Sequence, residues 1–323
     1  MLVTTYNHAR FLEQALDSLR HQTSADFEVI ITDDASSDGS ADIIAAWLAR
    51  TGFPAQFIRN QVNRGICANR NAALARASGT FVCSLSGDDC YEPDRIERQL
   101  ACFLAQGERV AVVYSDMLVV DAEGRPCERS FLDRTLNGAP PPQGDLFRRI
   151  VAGNFLPAPA MMVRKSAIAA VGGYDESLVY EDLDMWLRLS HRFTFVYLPG
   201  LLVRYRTHEA SMSNDLAIRP QLHRTYSRML AKWINAGLDQ DSRRVVLNSL
   251  LRNGGSLLFL KDGAAARAAF RDVLAVDTRP GRRLLAALGL LPGAGAVVRL
   301  LSPFYRIYRH VRTTRSRVKV AAD

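Results

Sequence analysis

Alternating strand and helix patterns fill the first 120 residues, and they constrain the fold more than any other feature of this sequence. Five short runs have the composition of strands: Leu2–Thr5, Phe27–Thr32, Ala55–Arg59, Phe81–Leu85 and Val110–Tyr114. Apolar residues at helical spacing lie between them, in Ala9–His21, Gly39–Arg50, Cys67–Ala77 and Pro93–Ala105. Strands separated by helices of this length form βαβ units. The pattern therefore predicts an α/β domain with a Rossmann-like, mostly parallel sheet flanked by helices.

The alternation becomes irregular after residue 120 and ends near residue 215. Asp121–Pro142 has no clear period, and we interpret it as a loop over one face of the domain. Further helices and strand-like runs are expected at Gly144–Val151, Ala160–Val163, Lys165–Val171, Glu181–His191, Phe193–Leu198 and Leu202–Arg206. From Ile218 the strands cease, and helices are predicted at Leu222–Ala236, Ser242–Leu260 and Gly263–Val276. We expect one domain over residues 1–215 and an α-helical C-terminal extension with a basic tail over 216–323.

Cysteine usage and charge narrow the class of protein. The five cysteines form no CxxC pair, which argues against a disulfide framework and a zinc site and favours a reducing compartment. The first residues lack a basic and then apolar stretch, so we expect no secretory signal and a cytoplasmic location. Asp277–Asp323 carries ten Lys or Arg and two Asp, which accounts for the whole net charge of +8. An excess of basic residues that is confined to the tail indicates the kind of partner that the tail binds and carries no information about the fold.

The fourth predicted strand ends in Ser86 and Gly87, and two adjacent carboxylates follow, Asp88 and Asp89. Other acidic residues follow strands or open a helix, at Asp33 and Asp34, at Asp116, and at Glu181, Asp182 and Asp184. Ligands of open parallel sheets bind at the carboxyl ends of the strands, and we expect the first three groups to share that edge. Neighbouring carboxylates repel each other, so a bound cation is a natural partner. A solvated turn is the alternative for Gly87-Asp88-Asp89 alone.

Two arginines lie at a matching position after the third predicted strand, Arg64 and Arg70. A site with both carboxylates and arginine suits an anionic ligand that is held through a divalent metal ion. Asn7 and His8, after the first strand, are interpreted as turn residues.

Six motifs follow one another along the chain. They are Val3–Asn7, Phe27–Ser40, Asn63–Gly65 with Ala68–Ala73, Ser86–Pro93, Glu181–Arg188 and Tyr205–Ser211. In this order they resemble the family 2 glycosyltransferases of GT-A fold, over about residues 1–215. The resemblance implies a GT-A catalytic domain with a nucleotide-sugar half at about 1–120 and an acceptor half at about 121–215. It also implies an inverting transfer from a nucleotide-sugar to an acceptor hydroxyl.

The resemblance assigns the nucleotide contacts. Thr4, Tyr6 and Asp34 match positions around the base and ribose, with Asp33 beside them, and Arg70 matches a position near the nucleotide. The chemistry fits this assignment, since a carboxylate accepts from an imide N–H or a ribose hydroxyl and an aromatic ring stacks on a base.

The same resemblance implies a divalent cofactor, Mn²⁺ or Mg²⁺, that bridges the donor's diphosphate. Asp88 matches the last Asp of the family's Asp-x-Asp motif, with Asp89 as a supporting acid. His208 matches a late motif in which family members carry a histidine that contacts the metal or the diphosphate. A surface histidine in a polar loop is the alternative for His208. Ser86 stands where the family has the first Asp, which puts metal affinity in question.

Asp182 matches the catalytic base of inverting family members, which takes the proton of the acceptor hydroxyl. The structural alternative is an acidic first helical turn, in which Glu181, Asp182 and Asp184 complement the helix dipole. Both interpretations are compatible. Glu181 and Asp175 are expected to support the acceptor side, with Asp175 as a cap in preference to an acceptor contact.

The expected partners are a nucleotide-sugar, with UDP-sugars favoured, and a glycan or lipid-linked acceptor of surface polysaccharide or glycolipid synthesis. Residues 284–319 combine broken apolar stretches with arginines and aromatics, which favours peripheral docking on an anionic membrane at the cytoplasmic face. Packing of Leu284–Leu301 on the catalytic domain with a solvated tail is the alternative. Nucleic-acid binding through the tail ignores the carboxylates of the main domain, so no nucleic-acid partner is expected. A donor-binding but inactive relative is a third possibility, because of Ser86.

Overall fold

The structure, a computed structural model, describes residues 1–178, 181–209, 211, 217–296 and 298. The chain divides into two compact units, Met1–Leu216 and Ala217–Asp323. Within the described residues, no helix combines the length and the apolar character needed to cross a membrane.

One eight-stranded sheet forms the centre of the first unit. Its strands are β1 (Leu2–Thr5), β2 (Val29–Asp33), β3 (Ala55–Arg59), β4 (Phe81–Ser86), β5 (Cys90–Tyr91), β6 (Val110–Val120), β7 (Met161–Arg164) and β8 (Thr194–Arg206). The strand order is β3-β2-β1-β4-β7-β6-β8-β5. Of the seven strand pairings among the described residues, four are parallel. The mixed, mostly parallel α/β architecture predicted from the strand and helix alternation is therefore confirmed.

Eight helices accompany the sheet within the described part of this unit. They are α1 (Ala9–Arg20), α2 (Ser40–Thr51), α3 (Ile66–Arg76), α4 (Arg95–Leu104), α5 (Phe131–Leu136), α6 (Phe147–Ala152), α7 (Lys165–Ala170) and α8 (Glu181–Ser190). The apolar stripe of α1 is buried at Phe11, Leu12, Ala15, Leu16 and Leu19, as its spacing predicts. Trp47 of α2 is fully buried, and its indole Nε1 donates to Asp17 of α1 at 2.8 Å. The two helices thus share a satisfied polar contact within an apolar core.

The parallel register of three strands positions the site. β1 lies between β2 and β4, and Thr4 is opposite both Thr32 and Ser86. Thr5 is opposite Asp33 one residue later. The carboxyl ends of β1, β2 and β4 therefore lie side by side, which is where ligands bind in sheets of this kind.

The structure corrects the second half of the sequence-based assignment. β6 continues through Asp116 to Val120, so the expectation that Asp116 lies at a strand end is wrong. Register shifts on both sides of Asp116 show that the strand accommodates this polar residue by bulging. The Asp116 carboxylate accepts N–H groups from Met117 at 2.8 Å and Leu132 at 2.9 Å, and so holds the start of α5. The predicted loop thus contains a helix.

Two further differences have simple causes. The runs Phe193–Leu198 and Leu202–Arg206 form one long strand, β8, because the intervening Pro199 and Gly200 interrupt the apolar pattern without ending the strand. β7 runs antiparallel to both of its neighbours, β4 and β6. A short apolar run does not reveal its direction, which is set by the connections around it.

Four helices form the described part of the second unit: α9 (Arg219–Ile234), α10 (Gln240–Phe259), α11 (Gly263–Val276) and α12 (Pro280–Leu290). Asp239 caps α10 through the N–H groups of Asp241 and Ser242, and Asp262 caps α11 through that of Ala265. The Phe270 ring of α11 lies so close to α10 and α12 that a Cβ on Gly254 would come within 2.6 Å of it and one on Gly289 within 2.4 Å. Glycine is therefore required at both contacts.

Gly254→Ala is expected to lower the stability of the full chain, because the buried Phe270 ring cannot move away without opening a gap. Overpacking of this kind costs roughly 1–3 kcal/mol. Gly255→Ala is the matched control, since its Cβ would have no neighbour within 4 Å and alanine is a better helix former by about 1 kcal/mol. Urea denaturation midpoints should therefore shift in opposite directions for the two variants. Equal shifts would contradict the packing described for Phe270.

Candidate active site

Two turns at the ends of β1 and β2 are joined by side-chain hydrogen bonds. The Asp33 carboxylate accepts from the Ser36 hydroxyl at 2.5 Å, and that hydroxyl oxygen accepts the backbone N–H of Asn7 at 2.9 Å. The Asn7 side chain accepts the N–H of Ser37 at 2.9 Å. Asn7 has a φ of 58°, a left-handed conformation that asparagine tolerates. Tyr6 precedes this turn with 49% of its surface exposed, so its ring is accessible at the edge of the sheet.

Asp34 holds the segment that enters α3. Its carboxylate accepts the N–H groups of Arg64 at 2.8 Å and Gly65 at 2.9 Å and the side-chain amide of Asn60 at 3.0 Å. Burial disfavours the charged form, but hydrogen bonds from Arg64, Asn69, Asn60 and Gly65 outweigh it and hold the pKa of Asp34 below its ordinary value. Asp34 is thus ionised and already hydrogen-bonded, and it shapes the wall of the site.

Gly87 brings β4 close to the end of β1. Its N–H donates to the Thr4 carbonyl at 3.1 Å. A Cβ at position 87 would lie 2.8 Å from Thr5 Oγ1 and 2.9 Å from His8 Nδ1. Only glycine fits here without displacing its neighbours, and it is this approach that places Asp88 beside His8.

A carboxylate and two imidazoles meet directly after β4. Asp88 Oδ2 lies 3.1 Å from His208 Nε2 and 3.9 Å from His8 Nε2. All three side chains are largely buried, with 9% to 19% of their surface exposed. Burial holds the pKa of His8 below its ordinary value. The nearby Asp88 acts to raise this pKa, and His208 acts to lower it. His8 Nδ1 is buried and has no hydrogen-bond partner among the described residues.

These residues fit part of the coordination sphere of a divalent cation. Carboxylate oxygen and imidazole nitrogen are ligands that Mn²⁺ and related ions accept. Within the described residues, no group of three His, Cys, Asp or Glu is arranged to hold a metal ion. A cation at Asp88 and His208 would therefore take its remaining ligands from a bound molecule or from water.

Asp89 serves the neighbouring strand. It is buried, and its Oδ1 accepts the backbone N–H of Arg206 at 2.9 Å. Burial and the adjacent Asp88 raise its pKa well above the ordinary value, in spite of Arg206. The Arg206 guanidinium donates to the Asp88 carbonyl and the Gln14 side chain and lies over the Phe11 ring. Asp89 and Arg206 thus position the end of β8, two residues before His208.

A second acidic cluster opens α8, where the sequence places the catalytic base. Glu181 Oε1 forms a buried ion pair with Arg70 Nη1 of α3 at 2.9 Å. Desolvation and the neighbouring Glu181 raise the pKa of Asp182 to about 7, while Arg70 lowers it. The third acid of this turn, Asp184, pairs with Arg188 at 2.6 Å and is a structural residue of the helix. Asp182 is thus a carboxylate poised to exchange a proton near neutral pH.

Helix α3 holds the segment that leads to this cluster. Arg70 lies over the Tyr174 ring, 5.4 Å from its centre. Asn71 bonds the backbone of Tyr174 twice, accepting its N–H and donating to its carbonyl, each at 2.9 Å. The Tyr174 hydroxyl is hydrogen-bonded to Ser84 of β4, the strand that precedes Asp88. The Asp175 carboxylate accepts the N–H of Ser177 at 2.9 Å, consistent with a local cap. Val179 and Tyr180 lie outside the described residues.

The family profile described as Glycosyl transferase family 2 matches residues 1–168, just over half of the chain. The chain belongs to this family. The resemblance found in the motifs and the expectation of a glycosyltransferase enzyme are thereby confirmed.

Individual relatives agree with this assignment. The putative glycosyltransferase EpsE of Bacillus subtilis is 30% identical over 191 residues, which cover 58% of this chain and 65% of EpsE. The hyaluronan synthase of Pasteurella multocida is 29% identical over 223 residues, 68% of this chain and 22% of the synthase. The chain thus spans less than two thirds of EpsE and under a quarter of the synthase.

Solved structures share the fold. S. aureus TarS 1–349 in complex with UDP-GlcNAc superposes with a TM-score of 0.66 at 19% identity, covering 94% of this chain and 90% of that chain. The mannosyltransferase PcManGT of Pyrobaculum calidifontis in complex with GDP-Man and Mn²⁺ has a TM-score of 0.57 at 19% identity, with coverage of 93% and 86%. The predicted GT-A fold is confirmed by these glycosyltransferase neighbours.

This family 2 glycosyltransferase brings five of the predicted residues into two clusters, while Thr4, Tyr6, Asp33 and Asp34 belong to the ends of β1 and β2. Asp88 and His208 meet at the end of β4, while Arg70 stands with Glu181 and Asp182. Sequence reasoning missed His8, which was interpreted as a turn residue. The signal was its place just after β1, at the same edge as Asp88.

Arg70→Gln tests the second cluster through stability and its dependence on pH. Removing one partner of a buried ion pair costs about 3–5 kcal/mol. Without Arg70 the pKa of Asp182 should rise above its present value of about 7. A carboxyl group whose pKa is higher in the folded than in the unfolded state destabilises the protein as the pH rises from the unfolded value through the folded one. The loss in thermal midpoint should therefore be larger at pH 8 than at pH 5.5.

Arg59→Gln is the control for this experiment. Arg59 pairs with Asp42 at 2.9 Å, but 54% and 76% of the two side chains are exposed, so its loss should cost ~1 kcal/mol or less. If the thermal midpoint of Arg70→Gln fell by the same amount at both pH values, Arg70 would not influence the pKa of Asp182.

Proposed function

We propose that this glycosyltransferase transfers a sugar from a nucleoside-diphospho-sugar to an acceptor hydroxyl with inversion at the anomeric carbon. The observation that carries the proposal is Asp182, whose pKa is raised to about 7 at the start of α8. The ionised carboxylate takes the acceptor's proton while the hydroxyl oxygen attacks the anomeric carbon. The bond from that carbon to the diphosphate breaks as the new glycosidic bond forms. Attack opposite the leaving group inverts the configuration.

The donor contacts follow from the edge formed by β1, β2 and β4. The exposed Tyr6 ring stacks on the base, and Thr4 and Asp33 line the same edge. Asp34 supports this surface through the 64–65 segment. A UDP-sugar is the favoured donor, in keeping with the TarS complex with UDP-GlcNAc. Arg70 acts on the donor side only indirectly, because its guanidinium pairs with Glu181.

A divalent cation, Mn²⁺ or Mg²⁺, completes this assignment at Asp88 and His208. When bound, it neutralises the diphosphate and so favours its departure. The PcManGT complex with GDP-Man and Mn²⁺ supports this part of the proposal. Asp89 holds the strand that carries His208 and is a supporting residue. His8, 3.9 Å from Asp88, lies within reach of the same ion or of a diphosphate oxygen.

The acceptor is proposed to be a glycan or lipid-linked glycan of surface polysaccharide or glycolipid synthesis, made at the cytoplasmic face of the membrane. The names of two relatives support a polysaccharide product, the hyaluronan and chondroitin synthases of Pasteurella multocida. Glu181 and Asp175 are assigned to the acceptor side as supporting residues; Glu181 starts α8, and Asp175 lies in the segment before it.

A donor-binding but inactive relative is the second candidate, and Ser86 is the observation that favours it. β4 ends at this serine, where the family pattern has an acid. Asp89 accepts the backbone N–H of Arg206 in β8, so Asp88 is the carboxylate of this motif that contacts His208. Binding without turnover would distinguish this candidate from the enzyme.

Release of nucleoside diphosphate from UDP-, GDP- and dTDP-sugars, in the presence of Mn²⁺ and an acceptor mixture, tests the reaction. We expect turnover with one donor class, and a loss of about 10²–10⁴-fold in Asp182→Asn, the range typical of a general base. Donor affinity should be unchanged. Asp42→Asn, at an exposed pair with Arg59, is the control and should retain full activity. Near wild-type turnover in Asp182→Asn would refute the base assignment.

Calorimetry with UDP separates the metal assignment from catalysis. In wild-type protein we expect Mn²⁺ to tighten UDP binding, and in Asp88→Ala this gain should fall at least tenfold because the carboxylate ligand is gone. Asp94→Ala removes a nearby exposed acid that pairs with Arg98, and it should behave as wild type. Binding that is the same with Mn²⁺ and with EDTA in the wild type would rule out the proposed cofactor.

A further inference from the structure

Helix α12 presents an apolar face to solvent. Nine large hydrophobic residues are exposed among the described residues, and four of them lie in or directly after α12. They are Leu284, Leu285, Leu288 and Leu291, which are 61%, 59%, 48% and 56% exposed. Scattered exposed leucines are ordinary on protein surfaces, but a contiguous group marks a surface with a partner.

The leucines share one side of the helix. Successive residues turn by about 100°, so Leu284, Leu288 and Leu291 lie within roughly 60° of one another, with Leu285 beside them. The opposite side carries the residues that pack on the unit. Ala286 is fully buried, and Gly289 lies against the Phe270 ring. The orientation of α12 is thus fixed by its packing, and its leucine face cannot turn inward without losing those contacts.

Arginines surround the start of this helix. A cavity of about 320 Å³ is lined by Arg243, Arg244, Arg279 and Arg282, with Asp277 as its acidic lining residue. Arg282 pairs with Asp277, and Arg244 pairs with Asp241 at 2.9 Å, so the acids near the cavity are fewer than the arginines. Arg279 occupies the N-cap position of α12 without a side-chain capping hydrogen bond, and the first turn of the helix contains no acidic residue. Cations at a helix N-terminus oppose the helix dipole, so this cluster is not explained by helix stability.

An anionic lipid bilayer fits both features. The leucine face covers roughly a few hundred Å², well below the ~800 Å² per partner that a stable protein interface buries. A bilayer requires no matching surface, because leucines enter the acyl boundary while arginines meet the anionic headgroups. By sequence, residues 299–323 add seven Lys or Arg and one Asp, the same sign of charge. Those residues lie outside the described part of the chain.

We propose that the leucine face of α12 and the arginines at its start form a docking surface for an anionic bilayer. The proposed surface lies on α12, within the described residues, and is separate from the basic tail after residue 298. The inference concerns binding alone, so it stands or falls separately from the proposed transfer reaction.

Flotation of the full chain with vesicles tests the proposal. We expect binding to vesicles of 30% phosphatidylglycerol in phosphatidylcholine, little binding to pure phosphatidylcholine, and weaker binding at 0.5 M than at 0.05 M NaCl. The variant Leu284→Gln/Leu285→Gln/Leu288→Gln should lose at least tenfold in vesicle partitioning. Arg244→Gln/Arg279→Gln should lose several-fold on anionic vesicles only.

Leu104→Gln/Val62→Gln is the matched control, since these residues of the first unit are 73% and 66% exposed and should leave binding unchanged. Circular dichroism should show equal helix content in all variants, because the leucines substituted are exposed. Wild-type protein that does not bind, or a triple variant that binds as well as wild type, would overturn the proposal. A triple variant that changes only the mass of the protein in solution would identify a second copy of the chain as the partner instead, and would also overturn it.

Discussion

The buried ion pair between Arg70 and Glu181 connects two distant segments of the first unit. Removing two charges from water is costly, and an ion pair seldom recovers more than that cost. The pair is therefore better understood through what it positions than through net stability. It joins α3, which follows the donor-side segment held by Asp34, to the first turn of α8. It also places a cation beside Asp182, whose pKa would otherwise rise still further through desolvation and Glu181.

The acidic residues of the site divide by what satisfies them. Asp34, Asp89 and Asp116 accept backbone N–H groups and fix the segments to which those groups belong. Asp88 and Asp182 have ionisable side chains as neighbours: Asp88 meets two imidazoles, and Asp182, which also accepts the N–H of Leu183 at 2.6 Å, lies beside Glu181 and Arg70. The pKa values of such neighbouring groups depend on one another. Sequence motifs do not separate these two kinds, because both can occur side by side in one motif, as Asp88 and Asp89 do.

Local patterns predicted the parts of the fold that depend on local physics. The strand and helix alternation of residues 1–120 and the apolar stripe of α1 were correct because burial imposes a period on the chain. The extent of β6 was wrong, because a bulge admits Asp116 inside a strand. The direction of β7 and the approach of His8 to Asp88 depend on contacts between distant segments. The motif resemblance selected Asp88, His208 and Asp182 as candidate site residues, but it did not predict that Arg70 pairs with Glu181.

The distribution of charge separates the two surfaces of this protein. The first unit, residues 1–216, carries 21 Lys or Arg and 27 Asp or Glu, a net charge of −6, so its overall charge opposes the long-range attraction of an anionic donor. In the proposed function, donor capture then rests on short-range contacts at the ends of β1, β2 and β4. The positive charge lies in the second unit, where residues 217–276 carry ten Lys or Arg against four Asp and residues 277–323 carry ten against two. At the start of α12 the arginines accompany exposed leucines. The concentration of basic residues in the second unit, beside the exposed leucines of α12, supports the anionic docking surface proposed for that helix.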